Sequence, residues 1–181
     1  MVYCFLADGF EEVEAIAPVD MLRRAGIEVK TVGVTGDVIS GSHGIKVIPD
    51  MDIKDVVLDD ELEAVILPGG LPGATNLEES ADVQKAIDFA DANNKYICAI
   101  CAAPQILGHK GLVKGKEAIA YPGFESELEG AVISEDYGAL DGNIITAKGA
   151  GVATEFGLKI VSVLKDAELA DKIGKAIQMK W

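Results

Sequence analysis

Tyr96-Ile97-Cys98-Ala99-Ile100-Cys101-Ala102-Ala103-Pro104 is the stretch on which the reading of this 181-residue chain turns. Its apolar first half reads as a short buried strand, and Gln105-Ile106-Leu107 continues a helical pattern directly behind it. A strand that turns sharply into a helix around a nucleophilic side chain is the elbow geometry of hydrolase-type active sites. Such a turn brings neighbouring main chain close and needs small residues on both sides. Ala99 and Ala103 stand two residues before and two after Cys101. The unpaired amides and positive dipole end of the following helix favour a thiolate there. On this stretch alone, a buried structural cysteine at a strand end reads equally well.

Upstream, Val2 to Ala7 is an apolar run that predicts a first buried strand. Asp8-Gly9-Phe10 turns the chain into a helix that starts on Glu11-Glu12 and ends at Arg23-Arg24-Ala25-Gly26. Cations in the last turn and a glycine stop suit the helix dipole and a left-handed cap. A second strand follows over Ile27 to Val34, then a Gly- and Ser-rich hairpin that returns through Ile45 to Ile48. Asp52 to Val57 reads as a short helical turn, Ala64 to Leu67 as a strand, and Pro68 to Gly73 as a loop. Ser80 caps an amphipathic helix that leads to the elbow.

Downstream of the elbow helix, strands are expected at Glu117 to Ala120, around Ala131 to Ser134 and at Gly142 to Ala147. Phe124 to Leu128 fits one helical turn, and Tyr137 to Leu140 a hairpin partner for the last strand. Gly149-Ala150-Gly151 opens a helix over Val152 to Leu164, and Ala167 to Met179 is a final amphipathic helix. Strands alternating with helices, mostly as continuous apolar runs, predict one α/β domain over residues 1–181. Its sheet is mostly parallel, with helices on both faces. Chemistry in such sheets lies outside the C-terminal strand ends. That pools three loops: Asp8 to Glu14, Pro68 to Gly73 and the Cys101 elbow.

A formal net charge of −14 argues against nucleic acid or an anionic membrane surface as partner. No apolar run reaches the roughly 18 residues of a membrane span. The N-terminus enters a strand pattern with no basic leader, so no signal peptide is expected. Three cysteines without framework spacing suggest a reducing compartment, with the cytoplasm as the expected location.

Glu14, flanked by Val13, Ala15 and Ile16, can point to the same sheet edge as Cys101. A protonated carboxyl there would donate to the thiolate, whereas a carboxylate would raise the thiol pKa. Glu11 and Glu12 read as a solvated acidic helix start. Gly69 and Gly70 offer bare backbone beside the elbow, able to complete an oxyanion hole with the Ala102 amide. No base is evident. His109 lies about 12 Å along the helix from Cys101, and His43 sits in the hairpin. Tyr121 can face the site, but a phenol with a pKa near 10 is a poor base at neutral pH. Cys98 and Cys101 form a C-x-x-C whose first thiol is buried in the strand, which disfavours a dithiol mechanism. Cys4 belongs to the core. No metal site or cofactor is expected, because no cluster of His, Cys and carboxylate shares a spacing.

Assembled, Ala7 to Glu14, Pro18-Val19-Asp20, Arg23 to Gly26, Leu67 to Gly70, Ala99 to Pro104 and Lys148 to Gly151 resemble the DJ-1/PfpI superfamily, within its DJ-1 branch. The resemblance spans nearly the whole chain. It implies a flavodoxin-like fold and a homodimer, with Cys101 as a low-pKa nucleophile. It further implies Glu14 as the protonated carboxyl partner and the Gly70 and Ala102 amides as the anion site. Relatives credited with glyoxalase or deglycase activity carry a histidine where this chain has Tyr121, so the usual proton shuttle is missing. The cysteine of the protease-like branch is followed by histidine, and here Ala102 follows. Lys148 and His43 fall where the family often has basic side chains near the site. Either an anion-binding or a surface role fits both. For the dimer, the first helix with Val13, Ile16, Ala17, Asp20 and Met21 along it is the candidate interface, although the same stripe fits core packing.

Two readings result. In one, Cys101 adds to small reactive carbonyl compounds as a glyoxalase- or deglycase-type enzyme. In the other, the chain is a redox-responsive stress protein whose Cys101 is oxidised to a sulfinate held by Glu14 and backbone amides.

Overall fold

Alternating apolar side chains on short strands fill two separate layers, one on each face of a central sheet. The computed structural model describes residues 1–179. Its strands are β1 (Val2–Leu6), β2 (Val29–Gly33), β3 (Ile39–Ser40), β4 (Lys46–Val47), β5 (Met51–Asp52), β6 (Ala64–Leu67), β7 (Tyr96–Ile100), β8 (Glu117–Ala118), β9 (Val132–Ile133), β10 (Gly138–Asp141) and β11 (Ile144–Ala147). Its helices are α1 (Glu12–Arg24), α2 (Gly73–Glu79), α3 (Ala81–Ala92), α4 (Pro104–His109), α5 (Ala153–Leu164) and α6 (Ala167–Ala176). The central sheet runs β10-β11-β7-β6-β1-β2-β5, parallel throughout except for β10, which pairs antiparallel with β11.

The period-2 alternation of strand side chains assigns each residue to a layer. Cys4, Leu6, Cys98 and Ile100 face the layer of α1, α5 and α6. Tyr3, Phe5, Ala7, Ile97 and Ala99 face the layer of α2, α3 and α4. Both layers are fully buried, so these strands are apolar on both sides, as a covered parallel sheet requires. α1 ends as its sequence predicts. Gly26 adopts φ +69°, and the Ile27 amide donates to Leu22 O at 3.0 Å, satisfying a terminal carbonyl. Arg23 in that last turn pairs with Asp50 at 2.6 Å.

The structure departs from the sequence expectations in four places. The segment read as a loop ends in a helix, α2, that starts at Gly73. An edge strand, β5, precedes the helical turn, which spans only Ile53–Asp55. The runs at 117–120 and 131–134 do not join the central sheet; β8 and β9 pair with each other in parallel. Glu12 is not solvated. It is 5% exposed, with its carboxylate held in the β3–β4 hairpin. No helix among the described residues is long and apolar enough to cross a membrane.

His109 closes α4 and ties three elements together. Its Nδ1 lies 2.5 Å from Glu78 in α2, and its Nε2 lies 2.8 Å from Glu127 in the turn over Glu125–Glu127. A carboxylate at each ring nitrogen calls for the imidazolium, and Glu127 and then Glu78 raise the pKa of His109. A raised folded-state pKa contributes stability in full below the unfolded value of about 6.5, and the contribution is lost as pH rises through the folded value. The groups are partly exposed, so His109→Gln is expected to cost about 0.5–1 kcal/mol at pH 6. That difference should shrink at alkaline pH in guanidinium denaturation; a pH-independent difference would contradict the ion pairs.

Candidate active site

β7 ends at Ile100, and the chain reverses within one residue. Cys101 adopts φ +65°, a left-handed conformation that costs a non-glycine residue of order 1–3 kcal/mol. The surrounding backbone over-determines it. The Cys101 amide donates to Ala147 O at 2.9 Å, and its carbonyl accepts from the Tyr121 amide at 2.8 Å. Ala99 and Ala103 are wholly buried on either side. This is the strained elbow that the small-residue pattern requires. Cys4 and Cys98 are buried in the α1 layer, where burial pushes the Cys4 thiol up to about 12 and the Cys98 thiol upward as well. All three cysteines are free thiols.

The first and second loops lock together beside the elbow. The Glu11 amide donates to Gly69 O at 2.9 Å, and Asn76 Nδ2 donates to Asp8 O at 2.8 Å. A β-carbon on Gly69 would stand 2.6 Å from both Cys101 Cβ and Glu14 Oε2. Only glycine lets the three meet. The Gly69 amide donates to Glu14 Oε2 at 3.0 Å, so Gly69 holds the acid and does not serve an incoming anion. The amides directed at Cys101 are those of Gly70 and Ala102. Of the three expected anion donors, two therefore face the sulfur and one positions Glu14.

Glu14 is 1% exposed, and burial pushes its carboxyl up to about 7, against hydrogen bonds from Cys101 and the Gly69 and Ala150 amides. Burial, and then the charge of Glu14, push the half-buried Cys101 thiol up to about 12, while the Gly70 and Ala102 amides pull it down. The lowered thiol pKa that the family resemblance implies is therefore not a fixed property of this pocket. The upward push by Glu14 is that of an ionised carboxyl. Protonated, the same group becomes a donor to the thiolate.

Other residues singled out from the sequence divide between two places. Tyr121 and Lys148 line one pocket with Pro122, Tyr137 and residues 149–152, a cavity of about 430 Å³. A β-carbon on Gly149 would meet Tyr121 Cδ2 at 3.3 Å and Glu14 Oε1 at 3.9 Å, so this pocket abuts the Cys101–Glu14 pair. His43 lies elsewhere. Its Nδ1 sits 2.9 Å from Glu12 Oε2 and 3.2 Å from Glu11 Oε2. Burial opposes ionisation of Glu12, but hydrogen bonds led by His43 hold its carboxyl at about 2. These three side chains bring their ligand atoms within 4.8 Å of one another, a cluster that sequence spacing hid. The ion pair of His43 with both carboxylates accounts for it. Sequence reasoning also missed Tyr137, and it took Gly149 and Ala150 as a helix opening and part of a family-like block, not as pocket walls. Their position after β11, the strand beside β7, was the available signal.

A flavodoxin-like α/β protein with a cysteine elbow and a buried acid beside it defines the class. The chain belongs to the DJ-1/PfpI family, whose sequence profile matches residues 1–163. Protein dj-1beta of Drosophila melanogaster is 35% identical over 179 residues, covering 97% of this chain and 95% of that one. The glutathione-independent glyoxalase DJR-1.2 of Caenorhabditis elegans is 31% identical over 92% of this chain and 89% of its own. Oxidised Toxoplasma gondii DJ-1 superposes with a TM-score of 0.94 at 34% identity, covering 99% of this chain and 98% of that one.

Proposed function

We propose that the chain is a cysteine-dependent enzyme acting on small reactive carbonyl compounds, a glyoxalase- or deglycase-type activity that needs no bound cofactor. The observation that carries this reading is the convergence of Cys101, the buried Glu14 carboxyl and the Gly70 and Ala102 amides on one point. The likeness to a protein named as a glutathione-independent glyoxalase supports it. The Cys101 thiolate adds to an aldehyde carbon and forms a C–S bond. The carbonyl electron pair moves to oxygen, where the two amides stabilise the developing charge and Glu14 supplies the proton. For a 2-oxoaldehyde, an internal redox shift then oxidises the aldehyde carbon and reduces the neighbouring ketone. Water hydrolyses the resulting thioester to a 2-hydroxy acid and frees Cys101. Substrate plus water balances product, with no external oxidant.

A second reading rests on the histidines. His43 and His109 are both engaged with carboxylates away from Cys101, which leaves Tyr121 where relatives place an imidazole. In this reading two equivalents of peroxide oxidise the Cys101 thiolate to a sulfinate and release water, and Glu14 and the amides hold the sulfinate oxygens. The test is incubation with methylglyoxal, without glutathione, followed by proton NMR. Lactate formation supports the enzyme. Its absence, together with a gain of two oxygens at Cys101 under peroxide, supports the redox protein.

The partners proposed are the carbonyl substrate or oxidant and a second copy of the chain, docked through α1, where Val13 and Ile16 are 50% and 43% exposed. A reducing compartment such as the cytoplasm suits three free thiols.

A further inference from the structure

The pocket beside the catalytic pair is larger and chemically more particular than a three-carbon oxoaldehyde requires. Its volume of about 430 Å³ lies in the range of roughly 300–1,000 Å³ typical of sites for much larger ligands. Two tyrosines wall it, both with exposed rings (Tyr121 50%, Tyr137 67%). Its single charged lining residue is Lys148, whose Nζ stands 5.1 Å from the centroid of the Tyr137 ring. That contact holds the ammonium at one wall of the pocket. Lys148 forms no ion pair within 4 Å among the described residues, although its charge is felt at Glu125. In a chain of net charge −14, an anion is repelled from most of the surface. A lone cation among apolar walls is then the feature that admits one.

Gly149 joins the pocket to the pair. A side chain there would fill the space between the Tyr121 ring and Glu14 Oε1. Its bare backbone leaves a passage for the reacting end of a ligand whose other end lies by Lys148.

We propose that this pocket selects aromatic carbonyl compounds that carry a carboxylate, with the ring between Tyr121 and Tyr137 and the carboxylate at Lys148 Nζ. The carbonyl end points past Gly149 to Cys101. Only the fate of that end rests on the carbonyl-enzyme reading; the binding preference stands apart from it. Lys148 and Tyr137 are specificity residues here, and Cys101 and Glu14 keep the chemistry.

The probes are 4-acetylbenzoate and 4-acetylbenzamide, ketones of nearly one shape that differ in charge, titrated against the full chain by calorimetry at low ionic strength. Wild type is expected to bind the carboxylate about two- to fivefold more tightly, as one partly shielded charge contact allows. Lys148→Met should erase that ratio, and Tyr137→Ala should weaken both ligands. Lys159→Met, outside this pocket, should leave the ratio intact. Equal binding of the two ketones by wild type, no binding of either, or a ratio that survives Lys148→Met would overturn the proposal. Turnover is scored separately. If 4-carboxyphenylglyoxal and methylglyoxal both go unconverted while the binding ratio holds, the carbonyl-enzyme reading fails and the pocket assignment stands. If methylglyoxal is converted while the ratio is absent, the pocket assignment fails and the enzyme stands.

Discussion

Cys101→Ala is expected to abolish methylglyoxal conversion, with kcat/KM falling by at least about 10³-fold, because removing a covalent nucleophile leaves only binding and backbone donors. The fold should survive. The side chain is only half-buried, and alanine at φ +65° meets the same backbone constraint as the native residue. The Ala147 and Tyr121 hydrogen bonds that fix the elbow are made by main chain and persist. Thermal unfolding of the variant therefore separates lost chemistry from lost structure. Cys98→Ala is the matched control. It removes a buried thiol from the α1 layer, so it should cost stability and leave turnover per folded molecule unchanged. Equal activity of Cys101→Ala and wild type would dismiss the enzyme reading. Loss of activity in both variants, with wild-type stability, would point to a dithiol mechanism across Cys98 and Cys101.

How much of this was legible in the sequence depended on how local the determining interactions are. β1, β6 and β7 are continuous apolar runs, and the elbow announces itself through Ala99, Cys101 and Ala103, so the centre of the fold and its nucleophile could be read directly. α2 could not. It is seven residues long, opens on Pro72-Gly73 with no side-chain cap, and buries only Gly73, Ala74 and Leu77, too short a span for a helical period to show. β8 and β9 have the same apolar character as sheet strands, and composition does not say which strand pairs with which. Glu12 looked like a solvated helix start because its partners, His43 and Ile45, return to it more than thirty residues later. The same separation hid the task of Gly69. A double glycine suggested an oxyanion donor, and only the folded loops show that one amide is committed to Glu14 and the other is left for the sulfur.

Glu14→Gln should pull stability and turnover in opposite directions. The Glu14 carboxyl is raised from 4.5 to about 7 by burial. Between those values the native state binds more protons than the unfolded chain, so wild-type stability falls as pH rises through this window. A shift of this size corresponds to about 3 kcal/mol between pH 4.5 and 8. Glutamine keeps the length of the side chain, and its carbonyl oxygen still accepts from the Gly69 amide while carrying no charge. The variant should therefore lose this part of the pH dependence and exceed wild type in denaturant midpoint at pH 8. With the neighbouring charge removed, the Cys101 thiol should also ionise at a lower pH than in wild type, although burial still opposes it. Ultraviolet titration against Cys101→Ala reads that shift. Turnover should nevertheless drop by about 10²–10⁴-fold, because an amide has no proton to give the forming alkoxide. A more acidic thiol in a slower enzyme separates proton delivery from thiolate supply. If the variant matched wild type in turnover, Glu14 would be a scaffold for Gly69 alone. If its pH-stability curve matched wild type, the carboxyl would titrate at its ordinary value despite its burial.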